Sequence, residues 1–130
     1  MPAFPELSII IPRFRNGYRL HDQVFALRDQ EDRPSLEVLL CDNGSNCGLT
    51  EWVANFPHDD PDFKVRLIDA TDHSGVAFAR NRGIAAVQAD LRAFCDDDDL
   101  VHPRWARSAV GLLEDHRVIT GGVVPRCKRS

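Results

Sequence analysis

Apolar residues in this chain fall into two kinds of short run, and their order sketches a fold. Leu7-Ser8-Ile9-Ile10-Ile11 and Leu36-Glu37-Val38-Leu39-Leu40-Cys41 are compact and largely apolar, the pattern of strands buried on both faces. Pro12 is expected to stop the first of them. Between the two, Tyr18 to Gln30 carries Leu20, Val24, Phe25 and Leu27 at helical spacing among polar residues, which predicts an amphipathic helix. The second strand runs into Asp42-Asn43-Gly44-Ser45-Asn46, a cluster of turn formers. A short helix over Leu49 to Asn55 follows, and the stretch from Pro57 to Asp62 reads as a surface connector. Lys64 to Asp69 alternates as a third strand, Val76 to Gln88 forms a small-residue helix, and Leu91 to Cys95 forms a fourth strand. Pro103 to Asp115 is read as a helix containing Trp105, and Val118 to Val124 as a last strand interrupted by Gly121-Gly122.

Strands that alternate with helices imply the α/β class: a mainly parallel open sheet with helices on both faces, in one domain over residues 1–130. Such sheets bind ligands beyond the carboxyl ends of their strands, where the strand order reverses. The loops after strands one, two and four hold Pro12-Arg13, Asp42-Asn43-Gly44 and the run Asp96-Asp97-Asp98-Asp99, so three polar loops are expected to converge.

Composition narrows the partners. A formal charge of −4 and a pI near 5.7 argue against a nucleic-acid surface. Of the basic residues only Lys64 and Lys128 are lysines, and the arginines supply forked donors suited to phosphate or carboxylate. Cys41, Cys47, Cys95 and Cys127 form no CxxC pair and read as reduced thiols. No apolar run approaches the ~20 residues needed to span a bilayer, so a cytoplasmic protein without a transmembrane segment is expected.

The acidic run carries the chemistry. Four adjacent carboxylates at a strand end repel one another unless a cation shares the site, and their oxygens suit Mg²⁺ or Mn²⁺. The competing role is a helix cap, with Pro103 in the first turn of the helix that follows.

Four segments, in this order, resemble the nucleotide-sugar glycosyltransferases of family 2, whose nucleotide-binding domain has the GT-A fold. They are Ser8-Ile9-Ile10-Ile11-Pro12, Glu37-Val38-Leu39-Leu40-Cys41-Asp42-Asn43-Gly44-Ser45, the stretch from Gly75 to Gly83, and Phe94-Cys95-Asp96-Asp97-Asp98-Asp99, which looks like the family's DxD-type motif. The resemblance implies transfer of a sugar from a nucleoside diphosphate sugar, a UDP sugar being the expected donor, with Mn²⁺ or Mg²⁺ stabilising charge on the diphosphate. It implies Asp98 and Asp96 as metal ligands, the latter on the same strand face by two-residue alternation, and Asp97 as a partner of the ribose hydroxyls. Asp42 would accept from the imide N–H of the base, its rival role being an Asx turn with Asn43-Gly44. Pro12, Arg13, Asn43, Gly44 and Arg80 complete the expected nucleotide-sugar contacts. His73 and His102 read as ordinary loop histidines, and Trp52 and Trp105 as core residues rather than sugar platforms.

Three departures stand out. Arg13-Phe14-Arg15 follows the first Pro where small polar and aromatic residues are usual, and Ala89 stands where Gly is common. Arg92 occupies a normally apolar strand position, so it must reach an edge, pair with Asp90 or Asp69, or meet a partner chain. The resemblance covers only the donor-binding half, and no residue matches the family's catalytic base. The expectation is therefore a glycosyltransferase or its donor-binding fragment. The alternative is a non-catalytic nucleotide-binding or assembly module, with a homodimer or partner chain covering the truncated edge. Phosphoryl or nucleotidyl transfer is disfavoured because no GxxxxGK[ST] loop follows strand one.

Overall fold

A computed structural model describes residues 4–13, 20–44, 48–73, 75–95 and 100–115. Within them the chain runs β1 (Leu7–Arg13), α1 (Leu20–Arg28), β2 (Leu36–Asp42), α2 (Leu49–Asn55), β3 (Phe63–Asp69), α3 (Val76–Ala86), β4 (Leu91–Phe94) and α4 (Trp105–Asp115). The expected last strand over Val118 to Val124 lies outside the described residues. Every strand pair is parallel, in the order β3-β2-β1-β4. The chain steps outward from β1 to β3 and then returns to the other side of β1, so the order reverses between β1 and β4. The α/β class with a parallel sheet is borne out.

Strand alternation divides the core. Ile9, Ile11, Val38, Leu40, Val65 and Ala93 point to one face, where Leu20, Val24 and Leu27 of α1, Leu49 of α2, and Trp105, Ala109 and Val110 of α4 bury them. Ile10, Leu39 and Cys41 point to the other face, beneath Ala79 of α3. Each fully buried aliphatic side chain contributes roughly 1.5–3 kcal/mol, which explains why β2 is buried at every residue. Helix α3 can sit close to the sheet because of Gly83: a Cβ there would stand 2.6 Å from Ile10 Cγ2 and 2.9 Å from Cys41 Sγ.

Two boundaries correct the sequence reading. Pro12 does not end β1, which continues through the registers Pro12↔Cys41 and Arg13↔Asp42. The proline is tolerated because β4 pairs with β1 only as far as Ile10↔Phe94 and leaves an open flank beside it. Helix α3 ends at Ala86 rather than Gln88, because Arg66 Nη2 donates to Ala86 O (2.6 Å) and Gln88 N donates to Glu37 Oε2 (2.7 Å). Those bonds belong to a buried network at the amino end of the sheet. Ser8 Oγ donates to Glu37 Oε2 (2.6 Å), Arg66 Nη2 donates to Glu37 Oε1 (3.0 Å), and Ala89 N donates to Ser8 Oγ (3.1 Å). Glu37 is only 1% exposed, and this satisfaction of its carboxylate is what makes an acid affordable inside an apolar strand.

Candidate functional site

At the carboxyl end of the sheet, register sets Arg13, Asp42 and Asp69 side by side as the last residues of β1, β2 and β3. Asp42 is almost buried, and its Oδ1 accepts from Gly44 N (2.9 Å), closing an Asx turn. Gly44 takes φ 114°, which a side chain would rarely permit. The Asx turn set against the base-binding role in the sequence reading is therefore formed.

Asn43 is the least expected participant. Its Nδ2 donates to Ala70 O (2.6 Å) and His73 O (2.8 Å), and its Oδ1 accepts from Gly75 N (2.8 Å). Ala70 N also donates to Asp42 O (2.9 Å). The loop between β3 and α3 is thus stitched to the end of β2. Gly75, at φ 121°, then caps the start of α3. Asp69 is turned into its own loop, where hydrogen bonds from Thr71 Oγ1 (2.7 Å) and Thr71 N (3.0 Å) hold its carboxyl below the usual range.

On the far side of β1, α3 carries Arg80, whose exposed guanidinium lies 5.8 Å from the centre of the Phe94 ring at the end of β4. Phe94 is two residues before Asp96. Asp96, Asp97, Asp98 and Asp99, and with them the expected metal ligands, lie outside the described residues. No group of three or more potential metal ligands occurs among the described residues. The structure does fix both approaches to the acidic run. Cys95 N donates to Ile10 O (3.0 Å), and Val101 N donates to Oε1 of the fully buried Gln23 (3.1 Å). Gln30 extends this support: Nε2 donates to His102 O (2.8 Å), and Oε1 accepts from Ala106 N (2.7 Å) at the start of α4.

The remaining candidates take ordinary roles. His102 is exposed and its Nδ1 accepts from Arg104 N (3.2 Å), while the exposed His73 packs edge-on to Phe78 at 5.0 Å. Trp105 is fully buried, and Trp52 is half-buried and stacked on His21 at 4.3 Å. Arg92 stands exposed on β4, the outer strand of the described sheet, as its edge placement required. Cys41 and Cys95 are buried, and burial pushes the Cys41 thiol up to about 12. Glu37, Gln23 and Gln30 were not singled out as site supports from the sequence. The signal available was a polar residue inside an apolar strand or on an apolar helix face.

Comparison with known proteins gives this geometry a context. The family model described as glycosyl transferase family 2 matches residues 8–130. An uncharacterized glycosyltransferase of Bacillus subtilis, YfnE, is 31% identical over 93 residues, which is 72% of this chain and 23% of that protein. An uncharacterized glycosyltransferase of Haemophilus influenzae is 29% identical over 124 residues, 95% of this chain and 48% of that one. The pre-mycofactocin glycosyltransferase of Mycobacterium tuberculosis is 30% identical over 125 residues, 96% of this chain and 24% of that one. The chain therefore spans about half the length of the Haemophilus relative and about a quarter of the other two. Among solved structures, the mannosyltransferase PcManGT of Pyrobaculum calidifontis, in complex with GDP-Man and Mn²⁺, superposes with a TM-score of 0.73 at 26% identity over 88% of this chain and 34% of that one. The S. aureus TarS fragment in complex with UDP shares the fold, with a TM-score of 0.67 at 20% identity over 86% of this chain and 33% of that one. The sheet is of the GT-A type.

Proposed function

Because the chain belongs to glycosyl transferase family 2, we propose that it binds the donor in a cytoplasmic enzyme that transfers a sugar from a nucleoside diphosphate sugar, a UDP sugar, to an acceptor. The observation that carries this reading is the reversal of strand order between β1 and β4, which sets Cys95, the residue before the acidic run, against Ile10 of β1, whose other neighbour β2 ends in Asp42. The free, buried thiol of Cys41 suits a reducing compartment. No helix among the described residues is long and apolar enough to cross a membrane.

Each residue has a physical task in this reading. Asp42, bent by its Asx turn at the end of β2, presents a carboxylate of the kind that accepts the imide N–H of the base. Gly44 leaves room beside it for the ring. Pro12 and Arg13 end β1 between the base and the diphosphate, with Arg13 offering charge to the phosphates. Arg80, resting on Phe94, approaches the same diphosphate from the α3 side. Asp97 holds the ribose hydroxyls, and Asp98 with Asp96 forms an all-oxygen donor set suited to Mn²⁺ or Mg²⁺. When bound, the cation would stabilise the negative charge of the departing diphosphate. The base that activates the acceptor is not assigned to any residue.

Titration calorimetry with UDP tests this. In the presence of Mn²⁺ the chain should bind UDP, and Asp98→Ala should abolish the dependence on metal. Absence of binding at millimolar UDP, or binding indifferent both to Mn²⁺ and to Asp98→Ala, would overturn the reading.

A further inference from the structure

We propose that Asn43 is a positioning residue of this nucleotide site and that position 43 demands an amide. The proposal rests on the functional reading above for its site, and on hydrogen-bond chemistry for its residue. Asn43 is 7% exposed, and the three groups it meets are all main chain: the carbonyls of Ala70 and His73 and the N–H of Gly75. It must donate twice and accept once, which only a carboxamide does at this size. A carboxylate would set one negatively charged oxygen 2.6 and 2.8 Å from two carbonyl oxygens, both fixed in the main chain. Acids are common in such turns, so the distinction is between Asn and Asp at one atom.

What the amide positions is visible on both sides of it. Upstream, Asp42 uses its own carbonyl to accept from Ala70 N and its carboxylate to accept from Gly44 N, so its orientation depends on where the loop 70–75 lies. Downstream, Gly75 accepts the first helical hydrogen bond of α3, from Ala79 N (3.2 Å), one residue before Arg80. Asn43 therefore sets the separation between Asp42 on β2 and Arg80 across β1, the two side chains assigned to opposite ends of the nucleotide.

The experiment compares wild type with Asn43→Asp and Asn43→Ala, measuring UDP affinity with Mn²⁺ and melting temperature from pH 8 to pH 5. The charged or titratable groups facing this loop are Asp42, Asp69, Asp72, His73 and Arg82, the last paired with Asp72 at 3.4 Å. All five are present in all three proteins, so ratios to wild type isolate residue 43. At pH 8, Asn43→Asp should bind UDP at least tenfold more weakly than wild type. Toward pH 5, a protonated acid regains one donor, and the deficit should shrink at least threefold, while the ratio for Asn43→Ala stays flat. Without nucleotide, Asn43→Ala should also lose hydrogen-exchange protection at the Gly75 amide, which a residue acting only by touching the base would leave unchanged. Wild-type affinity in Asn43→Asp at pH 8, a deficit independent of pH, or unchanged protection at Gly75 would each overturn the proposal. If Asn43→Asp does not fold at pH 8, its melting temperature decides instead: recovery toward pH 5 supports the amide requirement, and no recovery overturns it. If wild type fails to bind UDP, the functional reading falls, while the melting and exchange measurements still decide what residue 43 does.

Discussion

The two ends of this sheet treat polar side chains in opposite ways. At the amino end, Ser8, Glu37 and Arg66 turn toward one another and toward the main chain at Ala86, Gln88 and Ala89, closing a buried network. At the carboxyl end, Asp42, Asn43 and Asp69 bind the main chain of adjoining loops and thereby bend it. The first arrangement joins four elements into a base. The second shapes a rim. Polar groups of similar type thus produce stability at one end and loop geometry at the other, according to whether they find partners across strands or within turns.

Glu37→Leu is the strongest test of that division. It leaves the N–H of Gln88 and the Ser8 hydroxyl without their acceptor, at about 1–3 kcal/mol for each buried polar group left unpaired, while the one-third-exposed Arg66 guanidinium keeps Ala86 O. Urea denaturation should show that loss, while UDP affinity measured on the folded fraction remains close to wild type. A large fall in affinity at unchanged stability would erase the distinction between base and rim. Gly83→Ala comes next. The added methyl would overlap Ile10 Cγ2, a branched atom with no freedom to retreat, and overpacking of this kind costs about 1–3 kcal/mol. Because α3 links both ends, stability and UDP affinity should fall together. The smallest effect belongs to Asp60→Asn, at the connector before β3. Hydrogen bonds from Asp62 N and Arg33 hold the Asp60 carboxyl below its ordinary range. A carboxyl so depressed contributes stability above about pH 4 and loses it as pH falls through its folded value. Asp60 remains one-third exposed and its pair with Arg33 is partly screened, so the difference between variant and wild type should be about 1 kcal/mol or less at pH 7 and vanish in acid, as thermal melts across pH would show.

These contrasts also explain what could be read from residues in order. Strand β2 follows from its dense apolar run, because the middle of a parallel sheet is buried on both faces, whereas the more exposed β3 is read from alternation and β4 from a short apolar run. The end of α3 was placed two residues too far, since its limit is set by Arg66 and Glu37 from other strands rather than by helix propensity. Likewise Asp42 is conspicuous as an acid at a strand end, whereas the work of Asn43 depends on partners 27 to 32 residues away. Glu37 and Gln23 show the same limit. A polar residue in an apolar pattern signals that a partner exists, but only the fold supplies its identity.

Pro12 has a further effect at the end of β1. In the parallel ladder between β1 and β4, Ile10 O takes the N–H of Cys95, and the following rung would need an N–H from residue 12 to reach the carbonyl of Cys95. Proline has no such hydrogen. Ladder pairing to β1 therefore has a chemical stop at Cys95, one residue before the first aspartate. A single missing hydrogen on β1 thus sets the last rung that β1 can offer to β4, one residue before the acidic run begins in the sequence.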